Sequence, residues 1–203
     1  MLTFKEAGHE YRWNGERVPN VTGIIGHLTD LSRIPPKTLE NARQEGVQIH
    51  KMVEMFYRQT LDPDSIPDWM AGHYKALLKF DTETGFELWG SEERVYHGKQ
   101  HYAGTFDLVG VLTKLKTVRG GAIIDVKRTL YGGPAIGLQL AGYEGARNLE
   151  YMKDLKTRNR FALQLKKDGT YRLVEFADPS DHTAFLACLT MYRWKEKHHA
   201  KGK

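Results

Sequence analysis

The five residues 123–127, Ile-Ile-Asp-Val-Lys, constrain the fold more than any other part of the 203-residue chain. This apolar run predicts a buried strand, in which successive side chains point to opposite faces of the sheet. Asp125 and Lys127 therefore share one face, and Ile124 and Val126 share the other. A buried acid and amine are costly unless they are paired or bind a ligand, so this strand is expected to carry a functional site.

A second acidic residue, Asp107, follows Gly-Thr-Phe in another strand-like segment. Adjacent strands can place Asp107 beside Asp125, and two such carboxylates can hold a hard divalent cation together with waters and a substrate phosphate. The Val126 carbonyl is a further candidate ligand. Lys127 is expected to assist an attacking water and to offset the charge of the phosphate, with a plain salt bridge to Asp125 as the alternative. The pattern indicates metal-dependent phosphodiester hydrolysis.

Composition narrows the possible classes of protein. A single cysteine, Cys188, excludes an internal disulfide, a four-cysteine iron–sulfur cluster and a cysteine-based zinc site. The net charge of +5 and the pI of about 9.2 fit a polyanionic partner without proving one. No apolar run has the length of a membrane span, and the first residues lack a signal-peptide core, so one cytoplasmic domain over residues 1–203 is expected.

Hydrophobic periodicity and turn residues predict an α/β fold with a central mixed β-sheet flanked by helices, preceded by a small N-terminal β-ribbon. The predicted strands are 2–6, 9–13 and a third near Val18 in the ribbon, then 86–97, 101–112, 121–128, 159–166 and 171–177. The predicted helices are a short one to about residue 28, capped by Asn20 or Thr22, and longer ones over 37–59, 67–84, 135–151 and about 178–197.

The long helix over 37–59 carries a stripe formed by Gly46, His50 and Glu54, which lie four residues apart. A glycine inside a helix costs about 1 kcal/mol relative to alanine, so Gly46 is unfavourable unless a backbone or a ligand approaches it. Because this helix should pack on the strand meander, His50 is expected to approach Asp107 and Asp125.

Four motifs in this order resemble the RecB-like branch of the PD-(D/E)XK nuclease superfamily, which includes phage-type exonucleases and the mitochondrial genome maintenance exonuclease. They are G-x-x-x-H, G-x-x-D, D-x-K-x-T and Q-x-x-x-Y, which begin at Gly46, Gly104, Asp125 and Gln139 respectively. The resemblance implies a restriction-endonuclease-like core and a Mg²⁺- or Mn²⁺-dependent DNA exonuclease.

The resemblance also implies roles for individual residues. Asp107, Asp125 and His50 would be metal ligands, and Lys127 would be the catalytic lysine. Gln139 and Tyr143 would hold a phosphate or orient Lys127, with an ordinary contact within one helix as the alternative.

Further residues are predicted to lie around this site. Glu54 is expected to orient His50, and Glu92 resembles an acidic position that precedes the G-x-x-D strand, although Glu93 has the opposite strand phase and remains an alternative. Thr129, on the same strand face as Lys127, and the neighbouring Arg128 are expected to bind DNA. Tyr131, Tyr102 and Trp69 are candidates for stacking on unpaired bases, with a core position as the favoured alternative for most of them.

The expected function is hydrolysis of DNA from its ends, in phage or bacterial recombination, repair or degradation. DNA ends are the expected partner, and a recombinase or a single-strand-binding protein is a further partner that this role allows. Two alternatives remain open: a structure- or sequence-specific endonuclease on the same core, and a catalytically silent DNA-end-binding accessory protein. The sequence leaves polarity, strand preference, the number of metal ions and the oligomeric state undecided.

Overall fold

A computed structural model of the chain describes residues 1–6, 8–30, 32, 34–131, 133–151 and 155–199. Its N-terminal part is a three-stranded antiparallel sheet of β1 (Leu2–Lys5), β2 (Glu10–Trp13) and β3 (Glu16–Val18). Asn14 and Gly15 form the turn between β2 and β3 with φ angles of 50° and 88°, a conformation that these two residue types adopt readily. The predicted β-ribbon is therefore confirmed.

The main sheet has five strands in the order β4 (Phe86–His97), β5 (Tyr102–Leu112), β6 (Gly121–Lys127), β7 (Thr157–Leu165) and β8 (Tyr171–Glu175). Only β6 and β7 pair in parallel, and the other neighbours are antiparallel. The predicted mixed sheet is confirmed. Because β6 ends at Lys127, Thr129 lies beyond the strand, and the prediction that it shares a strand face with Lys127 is wrong.

Five α-helices accompany the sheet within the described residues: α1 (Val21–Ile25), α2 (Pro36–Tyr57), α3 (Asp68–Thr84), α4 (Ala135–Glu150) and α5 (Asp181–His199). Asn20 caps α1 by accepting the backbone N–H of Gly23 at 2.7 Å, as one of the two predicted caps. The last helix ends at His199, two residues beyond its predicted end at about residue 197. No helix among the described residues is both long and apolar enough to cross a membrane.

The helices cover both faces of the main sheet. Helices α2 and α3 pack on one face, where Ile124 and Val126 of β6 are fully buried. Helices α1, α4 and α5 pack on the other face, against Ile123 of the same strand. The period-two alternation predicted for residues 123–127 is thus confirmed, and it sends Asp125 toward the side of the sheet where α4 lies.

Strands β5 and β6 diverge at one end, and this divergence creates the space for a site. Their pairing extends from Gly110 opposite Ala122 to Leu108 opposite Ile124. Beyond it, Asp107 rather than a backbone carbonyl accepts the N–H of Val126, at 2.5 Å. The pairing of β6 with β7 continues along β6 to Lys127, so β6 stays fixed while β5 departs from it.

Tyr102 is a core residue and not a stacking residue, in line with the favoured alternative. It is 1% exposed and donates a hydrogen bond to the carbonyl of Gly142.

The two halves of α2 differ in burial. Leu39 and Val47 are apolar but 38% and 58% exposed, whereas the buried residues of the helix, Ile49, Met52 and Val53, all lie in its second half.

Candidate active site

Three side chains from three elements meet at the diverging end of β5. His50 of α2, Glu92 of β4 and Asp107 of β5 each offer one ligand atom, and these atoms lie within 4.8 Å of one another. His50 Nδ1 is 3.1 Å from Asp107 Oδ1. Two carboxylate oxygens and an imidazole nitrogen at this spacing are compatible with a single divalent cation, whose ligands each lie 2.0–2.6 Å from the ion.

Asp125 and Lys127 form the adjoining part of the site. Lys127 Nζ lies 2.5 Å from Asp125 Oδ2, so the predicted salt bridge is present. Asp125 Oδ2 is buried, and the ammonium of Lys127 compensates its charge. Asp125 does not belong to the group that His50, Glu92 and Asp107 form among the described residues, so ligation of a metal ion by Asp125 stays a prediction.

A short hydrogen-bond chain fixes the end of the lysine side chain. Lys127 Nζ donates to Gln139 Oε1 at 3.0 Å, and Gln139 Nε2 donates to the hydroxyl of Tyr143 at 3.0 Å. Strand β5 approaches Tyr143 closely, because a Cβ on Gly104 would lie 2.6 Å from the ring. The structure therefore brings the predicted glutamine and tyrosine to the lysine, and their part in catalysis stays a prediction.

The charges of the site shift each other's pKa values. Burial alone would raise the pKa of Asp107, but the pKa lies below its ordinary value. The charge and hydrogen bond of His50 lower it most, followed by the charge of Lys127 and the hydrogen bond from the N–H of Val126. Burial would lower the pKa of His50, but Asp107 raises it to about 9. In the metal-free protein, the pair is therefore a carboxylate and an imidazolium at neutral pH.

The pKa values of Asp125 and Lys127 are both raised, for different reasons. Burial and the charge of Asp107 raise the pKa of Asp125, although Lys127 partly offsets them. Burial would lower the pKa of Lys127, but the charges of Asp125 and Asp107 raise it above its ordinary value. Lys127 is thus a cation at neutral pH, and it can donate to a phosphate oxygen.

Glu92 offers a ligand atom to the cluster with His50 and Asp107, whereas the sequence left Glu92 and Glu93 as alternatives. Burial and then the charge of Asp107 raise its pKa to about 7. Its φ of 51° is unusual for a residue other than glycine, and such strain is common at functional sites. Glu93 instead lies 3.7 Å from Arg147 and accepts a hydrogen bond from Tyr151, so the structure identifies Glu92 as the acid near the candidate metal site.

The other predicted residues surround this centre. Both oxygens of Glu54 pair with basic side chains, Lys51 at 2.9 Å and Arg58 at 3.0 Å, so its predicted orientation of His50 stays a prediction. Val126 contributes its N–H to Asp107, and ligation by its carbonyl also stays a prediction.

The predicted DNA-binding residues lie together next to Lys127. Arg128, Thr129 and Tyr131 line a cavity of about 470 Å³, which Lys127 also lines. Arg128 NH1 is 3.6 Å from Glu45, and the ring of Tyr131 is 68% exposed. The cavity therefore presents a cation and an accessible aromatic ring beside the charged centre.

Two supporting features escaped the sequence reasoning. The hydroxyl of Tyr11 in β2 shares a 2.7 Å hydrogen bond with Thr105, which attaches the N-terminal sheet two residues before Asp107. Arg43 of α2 lines cavities on both sides of the site and forms a bidentate pair with Glu40. The position of Arg43 one turn before Gly46 on the same helix is a signal that could have identified it.

Comparison with known proteins gives weak structural likenesses. No protein-family model matches the chain, and no curated protein sequence matches it. An alkaline exonuclease, LHK-Exo from Laribacter hongkongensis, is similar with a TM-score of 0.41 and 11% identity, over 91% of this chain and 94% of that chain. The crystal structure of SSO0001 is similar with a TM-score of 0.34 and 12% identity, over 60% of this chain. The match covers 56% of the length of SSO0001.

Proposed function

We propose that this chain is a divalent-metal-dependent nuclease that hydrolyses phosphodiester bonds of DNA. One observation carries the proposal. The cluster of His50, Glu92 and Asp107 and the pair of Asp125 and Lys127 meet at Asp107, where β5 and β6 diverge. Buried acids with a fixed ammonium beside them serve no evident packing purpose, and they suit a site for a cation and a phosphate.

His50, Glu92, Asp107 and Asp125 would hold the metal ion. Their carboxylate oxygens favour Mg²⁺ or Mn²⁺, which prefer oxygen ligands. When bound, such an ion supplies Lewis-acid polarisation of a phosphoryl oxygen and lowers the pKa of water.

The protein groups have separate tasks in the reaction. Hydrolysis joins a water oxygen to phosphorus, and this water gives up one proton. The ester bond to the leaving sugar oxygen breaks, and the leaving oxygen takes up one proton. Lys127, held by Gln139, points an ammonium at the reacting phosphate and stabilises the negative charge that develops there. Asp125 pairs with Lys127 and raises its pKa in the metal-free protein, so the role proposed for the lysine is that of a fixed cation.

DNA is the proposed substrate because of the charge and the shape around the centre. Arg128, Thr129 and Tyr131 are available to bind phosphates and bases in the neighbouring cavity. The order of the four sequence motifs favours attack from DNA ends in recombination, repair or degradation. A recombinase or a single-strand-binding protein is a further partner that fits this role.

An endonuclease on the same core and a catalytically silent end-binding protein are the competing functions. The complete set of Asp107, Asp125 and Lys127 argues against the silent protein, because such a protein has no need of these buried charges. Incubation with Mg²⁺ or Mn²⁺ and either linear or covalently closed circular DNA tests all three. An exonuclease shortens end-labelled linear DNA and leaves the circle intact, whereas an endonuclease cuts the circle. Neither product would form if the protein were silent, and that result would contradict the proposal.

A further inference from the structure

The first half of α2 extends over the candidate active site with apolar side chains that the described protein leaves partly uncovered. The helix is anchored in the core through Ile49, Met52 and Val53, which lie in its second half. Leu39 and Val47, in the first half, are 38% and 58% exposed. Both face cavities beside the site, so this part of the helix forms a wall of those cavities.

Two cavities lie on either side of the same stretch of α2. A cavity of about 680 Å³ is lined by His50 and Glu92, and the cavity of about 470 Å³ is lined by Lys127 and Tyr131. Both are also lined by Ala42 and Arg43 of α2. We call the two cavities together the α2 groove.

The α2 groove carries an apolar wall beside Lys127, and such a wall suits an unpaired base. Ile34, Leu39 and Tyr131 form this wall. The arginines on the same lining, Arg43 and Arg128, are paired with Glu40 and Glu45, and the larger cavity is also lined by Glu6, Glu54 and Glu92. Tyr131 is exposed enough to stack on a base, and removal of such a stacked aromatic costs about 5- to 150-fold in affinity. A duplex buries the faces of its bases in its own stack, so only an unpaired base can use this wall.

Gly46 lies where the groove crosses α2 beside His50. It lines the larger cavity, and no atom lies within 4 Å of the place that a Cβ would take. Neighbouring side chains therefore do not require a glycine here, although glycine weakens the interior of a helix relative to alanine. The open surface that Gly46 leaves on the helix is room for a ligand.

We propose that the α2 groove binds one unpaired DNA strand, with a base against Leu39 and Tyr131 and the sugar–phosphate chain crossing α2 at Gly46 to reach the cluster of His50 and Asp107. This inference rests on the proposed nuclease function, and it names the substrate at that site as single-stranded DNA or a frayed end.

The test measures hydrolysis by the full chain with Mn²⁺. The substrates are a labelled single-stranded 20-mer, the same 20-mer in a blunt duplex, and the p-nitrophenyl ester of thymidine 5′-phosphate, which is too short to fill the groove. Gly46→Leu and Tyr131→Ala are each expected to lower kcat/KM on the 20-mer at least tenfold more than on the ester. Tyr131→Phe should retain activity on the 20-mer, because it keeps the stacking ring. Gly98→Leu, at a turn glycine with equal space around it, and Trp194→Ala, at an exposed aromatic on α5, are the matched controls and should change neither rate.

Two results would overturn the inference. Equal losses on the ester and the 20-mer in both groove variants would show that the substitutions act on the centre and not on strand binding. Equal sensitivity of a blunt duplex and a single strand to Tyr131→Ala would show that no unpaired base is bound. A wild-type chain that hydrolyses neither substrate would instead contradict the proposed function, and the inference would fail with it.

Discussion

One carboxylate oxygen of Asp107 accepts the backbone N–H of Val126 at 2.5 Å, where β5 and β6 diverge. The other oxygen lies 3.1 Å from His50 Nδ1. A buried backbone donor that loses its partner in the sheet is costly, and the aspartate satisfies that donor while it presents its second oxygen to the cluster. The same side chain thus allows the strands to separate and supplies a candidate metal ligand.

Asp107→Asn is therefore expected to keep the fold and to lose the activity. Its amide oxygen can still accept the N–H of Val126, but the anionic ligand is gone. Cleavage of end-labelled DNA should fall by roughly 1,000-fold, and Mn²⁺ binding, measured by calorimetry, should weaken by at least tenfold. Asp64→Asn, at an exposed loop aspartate, is the control and should change neither. Wild-type cleavage by the Asp107 variant would remove this residue from the mechanism.

Substitution of Lys127 should separate binding from turnover. Lys127→Ala removes the ammonium that Gln139 positions, so we expect kcat to fall by about 100- to 1,000-fold while Mn²⁺ and DNA binding stay within a few-fold. Lys127→Arg should recover little, because a planar guanidinium does not reproduce a compact point charge. Single-turnover cleavage measures the effect, with the exposed Lys116→Ala as the control. A loss confined to KM would indicate that Lys127 only binds substrate.

Strand alternation and motif order predicted much of this site before any coordinates. The period-two pattern of residues 123–127 placed Asp125 and Lys127 on one face, and helical spacing placed Gln139 and Tyr143 together. These predictions succeeded because they depend on backbone geometry alone, which the local sequence specifies. The approach of His50 to Asp107 followed from the need of the meander for a covering helix.

Other features depended on geometry that no sequence period reports. A register shift between Leu88 and Gly90 and the left-handed φ of Glu92 alter the phase of β4, so alternation could not decide between Glu92 and Glu93. Apolar residues recur along α2 at helical spacing, but the buried ones all lie in its second half. Helical periodicity shows that a face is apolar, but it does not show whether protein or a groove lies against that face.

The pH dependence of metal binding should follow His50. Its pKa of about 9 means that a metal ion must displace a proton, so Mn²⁺ affinity should rise by about tenfold per pH unit up to about pH 9. His50→Ala should weaken binding and flatten this dependence, whereas His198→Ala, at an exposed helix histidine, should leave it unchanged. Calorimetric titration at pH 7, 8 and 9 checks it, and a pH-independent affinity in the unaltered protein would contradict it.

The same histidine should shape the stability of the metal-free protein. Its pKa is higher in the folded chain than the ordinary 6.5, so the stabilisation from its pairing with Asp107 is fully present below about pH 6.5 and is lost as the pH rises through about 9. Thermal unfolding in EDTA should therefore show a difference between the unaltered chain and His50→Ala that shrinks over this range. A difference that grows with pH would contradict the assignment.

Glu92 and Glu93 should respond in opposite directions to the same substitution. The pKa of Glu92 is raised to about 7, so its ionisation increasingly destabilises the metal-free fold as the pH rises from about 4.5 to about 7, and this loss is constant above that pH. Glu92→Gln should therefore stabilise the metal-free protein at pH 8 by on the order of 1 kcal/mol, since solvent screens this partly exposed group, and should have little effect near pH 4.

Glu93→Gln should destabilise the metal-free protein, because buried Arg147 loses its charge partner. Thermal unfolding in EDTA at both pH values measures these changes, and added Mn²⁺ should then stabilise the unaltered chain more than Glu92→Gln. Destabilisation by Glu92→Gln at pH 8 without metal would show that the carboxylate is a structural group and not a strained ligand.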